Sequence, residues 1–252
     1  MEIESKQKNP NAKCVVLMPV SGAMEWATEL KLIELMHQGY AIQKIYGCAN
    51  VDIARSQLAS DALTQGFEEI FWIDSDIDFN IDDFERLRAH DLPIVCGLYP
   101  KKLKEGGLAA ILEDYTETLV FGEQGGLIEI RWAGTGFLYT KRCVYDDIKV
   151  KLNLPDCSIG RKGTINPYFM PFAIPGPQSS EGKSTWLYLG DDTSFCERAR
   201  QVGYKIYADT TIRLDHVGKY RYSWEDISGS RERYSTLSCQ IKRVFNEDMT
   251  CG

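Results

Sequence analysis

The sequence has no excess of positive charge. Among its 252 residues, 29 Lys and Arg stand against 36 Asp and Glu, a formal net charge of −7 with a pI near 5.1. A general grip on nucleic acid or on an anionic membrane needs a basic footprint, so neither is an expected partner. A local basic pocket for a small phosphate compound is still allowed. No Cys-x-x-Cys pair occurs among the eight cysteines, which argues against a zinc module. Several of them, such as Cys14 in "AKCVVLMPV" and Cys96 in "PIVCGLY", lie inside apolar runs, where a free thiol acts as a small hydrophobe. Unpaired thiols belong to a reducing compartment, and a cytoplasmic setting is the expectation. No apolar run is long enough to span a bilayer. The first residues, "MEIESKQKNPNAK", lack the apolar core of a signal peptide. Internal repeats and an obvious linker are also missing.

What is present is ordinary globular material, 44% hydrophobic and 26% charged. The length suits one large domain or two small ones, each able to enclose a core. "CVVLMPV" reads as a strand, and "MEWATELKLIELMHQ" as a helix with Trp26, Leu30, Ile33 and His37 at helical spacing, stopped by Gly39. "AIQKIYGC" is the next strand. "VDIARSQLASDALTQG" is the next helix, with Ile53, Leu58, Ala62 and Leu63 inward. "EEIFWIDSD" and "LPIVCGLYP" are strands, separated by a helix opened by Asn80. This alternation predicts an α/β fold, with a mainly parallel sheet covered by helices on both faces. The second half has short strands with Gly turns and a more antiparallel character, in "GLAAILED", "TLVFGEQ" and "GLIEIRWAGTGFLYTK". Helices are expected over "RCVYDDIKVKL" and "DDTSFCERARQVG", and one in the tail after Lys219. Gly, Pro and Ser from Pro155 to Lys183 predict a long mobile loop.

The chemistry is expected where acids follow apolar runs. In open α/β sheets ligands bind at the C-terminal ends of the strands, and Asp74-Ser75-Asp76 stands at such an end. Two carboxylates there repel each other unless a cation or proton lies between them. Hard oxygen ligands suit Mg2+ or Mn2+, which would also bridge nucleotide phosphates. The plain alternative is a solvated loop that caps the next helix. Asp191 and Asp192 follow the run "WLYL" and open a helix, where acids favour the dipole. An exposed carboxylate there also suits a general base. His216 is either structural or a neutral-imidazole ligand completing a metal site. Arg55, near a helix start, is either a surface arginine or a cation for a nucleotide diphosphate. Gly134-Thr135-Gly136 lacks the Lys-Ser/Thr ending of a P-loop, and suits a close approach of backbone to ligand.

In chain order, "MPVSG", "DIARSQLASDAL", "EEIFWIDSD", "WAGTGFLYTKR", "YLGDDTSFCERARQVGYKIYAD" and "DHVG" resemble nucleotide-sugar-dependent glycosyltransferases of the GT-A fold, inverting and family-2-like. The resemblance runs from about Cys14 to about Lys219. It implies one domain: a nucleotide-sugar half over about 14–100, an acceptor half over about 101–219, and a C-terminal extension over 220–252. It implies Asp76 as direct metal ligand, Asp74 at the ribose or sugar and near the metal, and His216 completing the site around Mn2+ or Mg2+. Arg55 and Ser75 would lie at the donor, Gly134, Thr135 and Gly136 near donor sugar and acceptor. Asp192 would be the base. Here Asp191-Asp192 stands for the family's usual Glu-Asp. The partners implied are a UDP- or GDP-sugar donor and a glycan, glycoprotein or other hydroxyl acceptor. The loop from Pro155 would close over them and exclude water.

Two rival readings exist. Haloacid-dehalogenase-type phosphatases also end a strand in Asp-x-Asp and carry a later "GDD". There, however, the motif stands near the start of the domain, and here strand–helix units precede it. A non-catalytic sugar- or nucleotide-binding module would not need both acidic pairs. Tyr220, Tyr222 and Trp224 suit either a sugar-stacking platform or core packing.

Overall fold

The apolar stretch before Asp74 becomes the buried body of a central strand. In a computed structural model that describes residues 10–103, 106–158, 164–178, 184–218, 220–227 and 236–240, Ile70, Phe71, Trp72 and Ile73 are wholly buried. The chain begins β1 (Cys14–Val20), α1 (Trp26–His37), β2 (Ala41–Tyr46), α2 (Val51–Thr64) and β3 (Glu69–Ile73). It continues with β4 (Ile77–Asp78), α3 (Ile81–Ala89), β5 (Ile94–Gly97), β6 (Ala110–Leu112), β7 (Thr118–Gly122), β8 (Leu127–Ala133) and β9 (Phe137–Lys141). Then come α4 (Arg142–Lys151), β10 (Phe172–Gln178), β11 (Ser184–Leu189), α5 (Asp191–Gln201) and β12 (Ile206–Asp209). The last elements are β13 (Asp215–Val217), β14 (Arg221–Tyr222), a 3-10 turn over Trp224–Ile227, and β15 (Thr236–Gln240).

Eight strands form one sheet in the order β2-β1-β3-β9-β5-β12-β8-β6. Only β1–β2, β1–β3 and β5–β12 pair in parallel; the other neighbours are antiparallel. The α/β class is as expected, but the sheet is mixed. The antiparallel strands of the second half enter it, and β9 inserts between β3 and β5. Because both neighbours oppose β9, β3 and β5 still run the same way. The tips of β1, β3 and β5 therefore lie along one edge, and the chain re-enters the sheet from that edge into β9.

Side chains alternate across the sheet, as a period of two requires. Val15, Leu17, Ile70 and Trp72 join α2, α4 and α5 on one face. Cys14, Val16, Met18, Phe71 and Ile73 join α1 and α3 on the other. Each such apolar side chain contributes roughly 1.5–3 kcal/mol when fully buried. The tip of β3 is thus clamped from both sides.

Two expectations need correction. In α1 the residues turned inward are Ala27, Thr28, Leu32 and Leu35, while Trp26 (69% exposed), Leu30, Ile33 and His37 face outward. The helix carries apolar residues on two faces, and the spacing picked the wrong one. The stretch from Pro155 is no loose loop where it is described. Tyr168 and Phe169 are buried, the Phe169 N–H donates to Ser56 Oγ (3.2 Å), and its ring stacks on Phe195. Its segments 159–163 and 179–183, and any lid formed by them, lie outside the described residues. In the tail, the described residues hold β14, a 3-10 turn and a strand paired with β7; the rest of the stretch expected to contain a helix, 228–235 and 241–252, lies outside them. Trp224 packs in the core beside Phe121, as the packing alternative has it, while Tyr220 is exposed.

Candidate active site

A buried arginine organises the edge at the tip of β3. Arg55, in the first turns of α2, is only 4% exposed and lies 5.7 Å over the ring of Trp72. Its Nη2 donates to Asp74 Oδ1 (2.9 Å) and its Nε to Asp191 Oδ2 (2.9 Å), with Asp192 Oδ1 3.6 Å away. Nη1 is buried without a hydrogen-bond partner among the described residues. Burial alone lowers the pKa of a guanidinium, but the three carboxylates overturn that and raise it. One cation therefore joins the two acidic pairs, which are more than a hundred residues apart in sequence.

The two aspartates of α5 differ. Both occupy its first turn, where the helix dipole favours negative charge. Asp191 holds the close ion pair. Asp192 Oδ1 instead accepts a 2.5 Å hydrogen bond from Thr135 Oγ1. Burial pushes the Asp192 carboxyl up to about 7; Arg55 opposes this, and Asp191 and Asp74 add to it.

Asp76 points to a second cluster. The N–H of Val217 donates to the Asp76 carbonyl (2.7 Å), and β13 pairs with β4, so that His216 comes beside Asp76. His216 Nδ1 lies 2.9 Å from the Pro100 carbonyl, which only accepts, so Nδ1 carries the proton. Its Nε2 lies 3.5 Å from Asp76 Oδ1. Lys102 Nζ sits 2.6 Å from the other oxygen, Oδ2. Burial works to raise the Asp76 pKa, but His216 and Lys102 outweigh it and the net shift is downward.

Gly134 and Gly136 have a structural reason. A Cβ on Gly136 would lie 2.5 Å from the Tyr99 hydroxyl oxygen and 2.7 Å from its ring carbon; one on Gly134 would meet the same hydroxyl at 2.5 Å. The Gly136 N–H donates to that oxygen (2.9 Å), and the Gly136 carbonyl accepts from the Asp74 N–H (3.0 Å). The backbone here closes on Tyr99 at the tip of β5, and through it fixes Asp74 and Thr135. Gly136→Ala is expected to lower stability by about 1–3 kcal/mol, the cost of overpacking a rigid buried contact. Urea unfolding checks this; an unchanged midpoint would show that Tyr99 has room to move.

Two cavities flank the cluster. One, of about 220 Å³, is lined by Pro19, Val51, Arg55, Asp74, Ser75, Asp76 and His216 among others. The other, of about 290 Å³, is lined by Lys101, Ile111, Trp132, Gly134, Asp191 and Asp192 among others. The hydrogen bonds of Arg55 cross between the groups lining them. The residues singled out for the metal, the donor and the base thus meet at one edge. Tyr99 and Lys102 were not singled out, although "GLYPKK" ends a strand as "IFWIDSD" does.

No protein-family model matches the chain, and no curated protein matches it. Fifteen solved chains match its structure. The chain is similar to A197 from STIV. That crystal structure superposes with a TM-score of 0.53 at 15% identity, over 93% of this chain and 99% of the other. At that identity the likeness establishes a shared fold and nothing about chemistry. Among the described residues, no group of three or more His, Cys, Asp or Glu is gathered to hold a metal, and no helix is long and apolar enough to cross a membrane.

Proposed function

We propose that the chain is a glycosyltransferase of the GT-A type, moving a sugar from a nucleoside-diphosphate donor to an acceptor hydroxyl with inversion. The observation that carries this reading is the Arg55 cluster, which links a strand-tip acid on one cavity to a near-neutral carboxylate on the other. The Asp74 side suits the donor, since its cavity lies at the C-terminal ends of β1 and β3. The Asp192 side suits the acceptor.

Asp192 is the base. Its Oδ1 is held by Thr135, and its other oxygen takes the proton of the acceptor hydroxyl. As that proton leaves, the acceptor oxygen bonds to the anomeric carbon. The bond from that carbon to the diphosphate breaks, with its electron pair leaving on the phosphate. Asp76 and His216 Nε2 fit a divalent cation, hard carboxylate and imidazole donors turned to one point, and Mn2+ or Mg2+ is the ion in this reading. Bound there, such an ion would neutralise the leaving diphosphate as a Lewis acid. Lys102 adds a cation of the chain's own at the same carboxylate. Asp74 gives Oδ1 to Arg55, which leaves its other oxygen for the ribose, the sugar or the metal.

Calorimetric titration of UDP and GDP with and without Mn2+ tests this. Metal-dependent binding to the wild type is expected, weakened at least about tenfold in Asp76→Ala, in line with the loss of a charged ligand. Absence of nucleotide binding, with phosphate-ester hydrolysis in its place, would overturn it.

A further inference from the structure

The hairpin of β10 and β11 has two unlike faces. Phe172, Ile174 and Leu187 pack against the core, joined by buried Leu189. The opposite face carries Ala173 and Pro175 from β10, and Trp186 and Tyr188 from β11, in register as Ala173 with Tyr188 and Pro175 with Trp186. Trp186 is 68% exposed and Tyr188 77%. The hairpin is anchored: Arg198 of α5 lies 4.6 Å over the Phe172 ring and donates to the Tyr168 carbonyl. Tyr188 precedes Asp191 by three residues, so its Cα lies within about 11 Å of the acid, and Trp186 is about 7 Å further along the strand.

We infer that this face is a carbohydrate-stacking surface for the acceptor, which makes the acceptor a saccharide chain rather than a small alcohol or a polypeptide hydroxyl. The inference rests on the transferase reading given above. A pyranose ring has an apolar C–H face and a polar rim. It packs flat on an aromatic ring while its hydroxyls stay in water, and Trp and Tyr supply such rings at low entropic cost. Two rings on one side of one strand, with backbones about 7 Å apart, lie close enough to contact one saccharide chain together. The face is uncharged, since Ala173, Pro175, Trp186 and Tyr188 carry no cation for a phosphate or an anionic lipid surface. It is also small for a second copy of the chain. Two aromatic side chains cover at most about 250 Å² each, against the roughly 800 Å² per partner of a stable interface. Its continuity with the first turn of α5 directs a chain stacked on it toward Asp192.

The test uses the full chain and the variants Trp186→Ala, Tyr188→Ala and the double variant. Binding to a printed array of neutral oligosaccharides identifies a ligand, which is then titrated in solution, with UDP and GDP titrated in parallel. The wild type is expected to bind an oligosaccharide saturably. Each single variant should weaken it about tenfold, the scale of losing an aromatic anchor, and the double variant more, with nucleotide affinity unchanged. No oligosaccharide bound by the wild type, or equal binding by the double variant, overturns the inference. So does a wild-type dimer in sedimentation that the double variant lacks. If the oligosaccharide result holds but no nucleotide binds, the stacking surface stands and the transferase reading falls.

Discussion

Asp192→Asn is expected to lower the turnover of sugar transfer by about 10³-fold, the middle of the range for loss of a positioned general base. Nucleotide affinity should not change, because Asp192 lines the cavity away from Asp76 and His216. The amide keeps the shape and still accepts from Thr135 Oγ1, so the loss isolates the missing proton acceptor. Asp191→Asn should cost less in the chemical step, since Asp191 is held by Arg55 Nε at 2.9 Å. The pH dependence adds a sign. A base works deprotonated, and burial holds Asp192 near 7. The wild-type rate should therefore climb with pH through about 7 and fall about tenfold per unit below it. Rates from pH 5.5 to 8.5 check this. If Asp191→Asn is the dead variant, or the rate is flat across 7, Asp192 is not the base.

That assignment was half legible in the sequence. "IFWIDSD" announces a strand tip because an unbroken apolar run has one use in an α/β fold, the buried centre of the sheet. The later acids announce a helix start. Nothing in the spacing says that the two tips meet, since Arg55 and its partners are joined by sheet order, and strand order is a tertiary choice. The insertion of β9 between β3 and β5 is hidden for the same reason, although its strand character was plain. The inward face of α1 was misread because Leu32 and Leu35 satisfy helical spacing as well as Trp26, Leu30 and Ile33 do. Pro175, Gly176 and Pro177 suggested a loop, yet they lie in a strand of a two-stranded sheet, where proline costs no ladder bond to a further neighbour. The alternation in "STWLYL", with Trp186 and Tyr188 out of step with Leu187 and Leu189, was readable as a half-exposed strand.

Arg55→Met is expected to cost about 3–5 kcal/mol of stability near neutral pH, the usual result of stripping one partner from buried charges. For a chain of this size that corresponds to a melting temperature lower by roughly 10 °C. Methionine replaces much of the apolar stem, so the loss comes from Asp74, Asp191 and Asp192 facing one another without their cation. The sign with pH follows. Asp192 already has a folded pKa above its unfolded one, so the native state binds the extra proton and stability falls as pH rises from about 4 through 7. Without Arg55, which opposes the rise, the folded Asp192 carboxyl moves further up. The deficit of the variant should be small near pH 5 and widen to its full value above 7. The rising limb of the rate profile should shift to higher pH with it. Arg55→Lys should recover little, because an ammonium cannot fork to Asp74 and Asp191 at once. Thermal unfolding of the three proteins at pH 5, 6, 7 and 8 decides the matter. A deficit that is the same at every pH would mean that Arg55 serves by packing on Trp72, and that the two acidic pairs do not need it as their common cation.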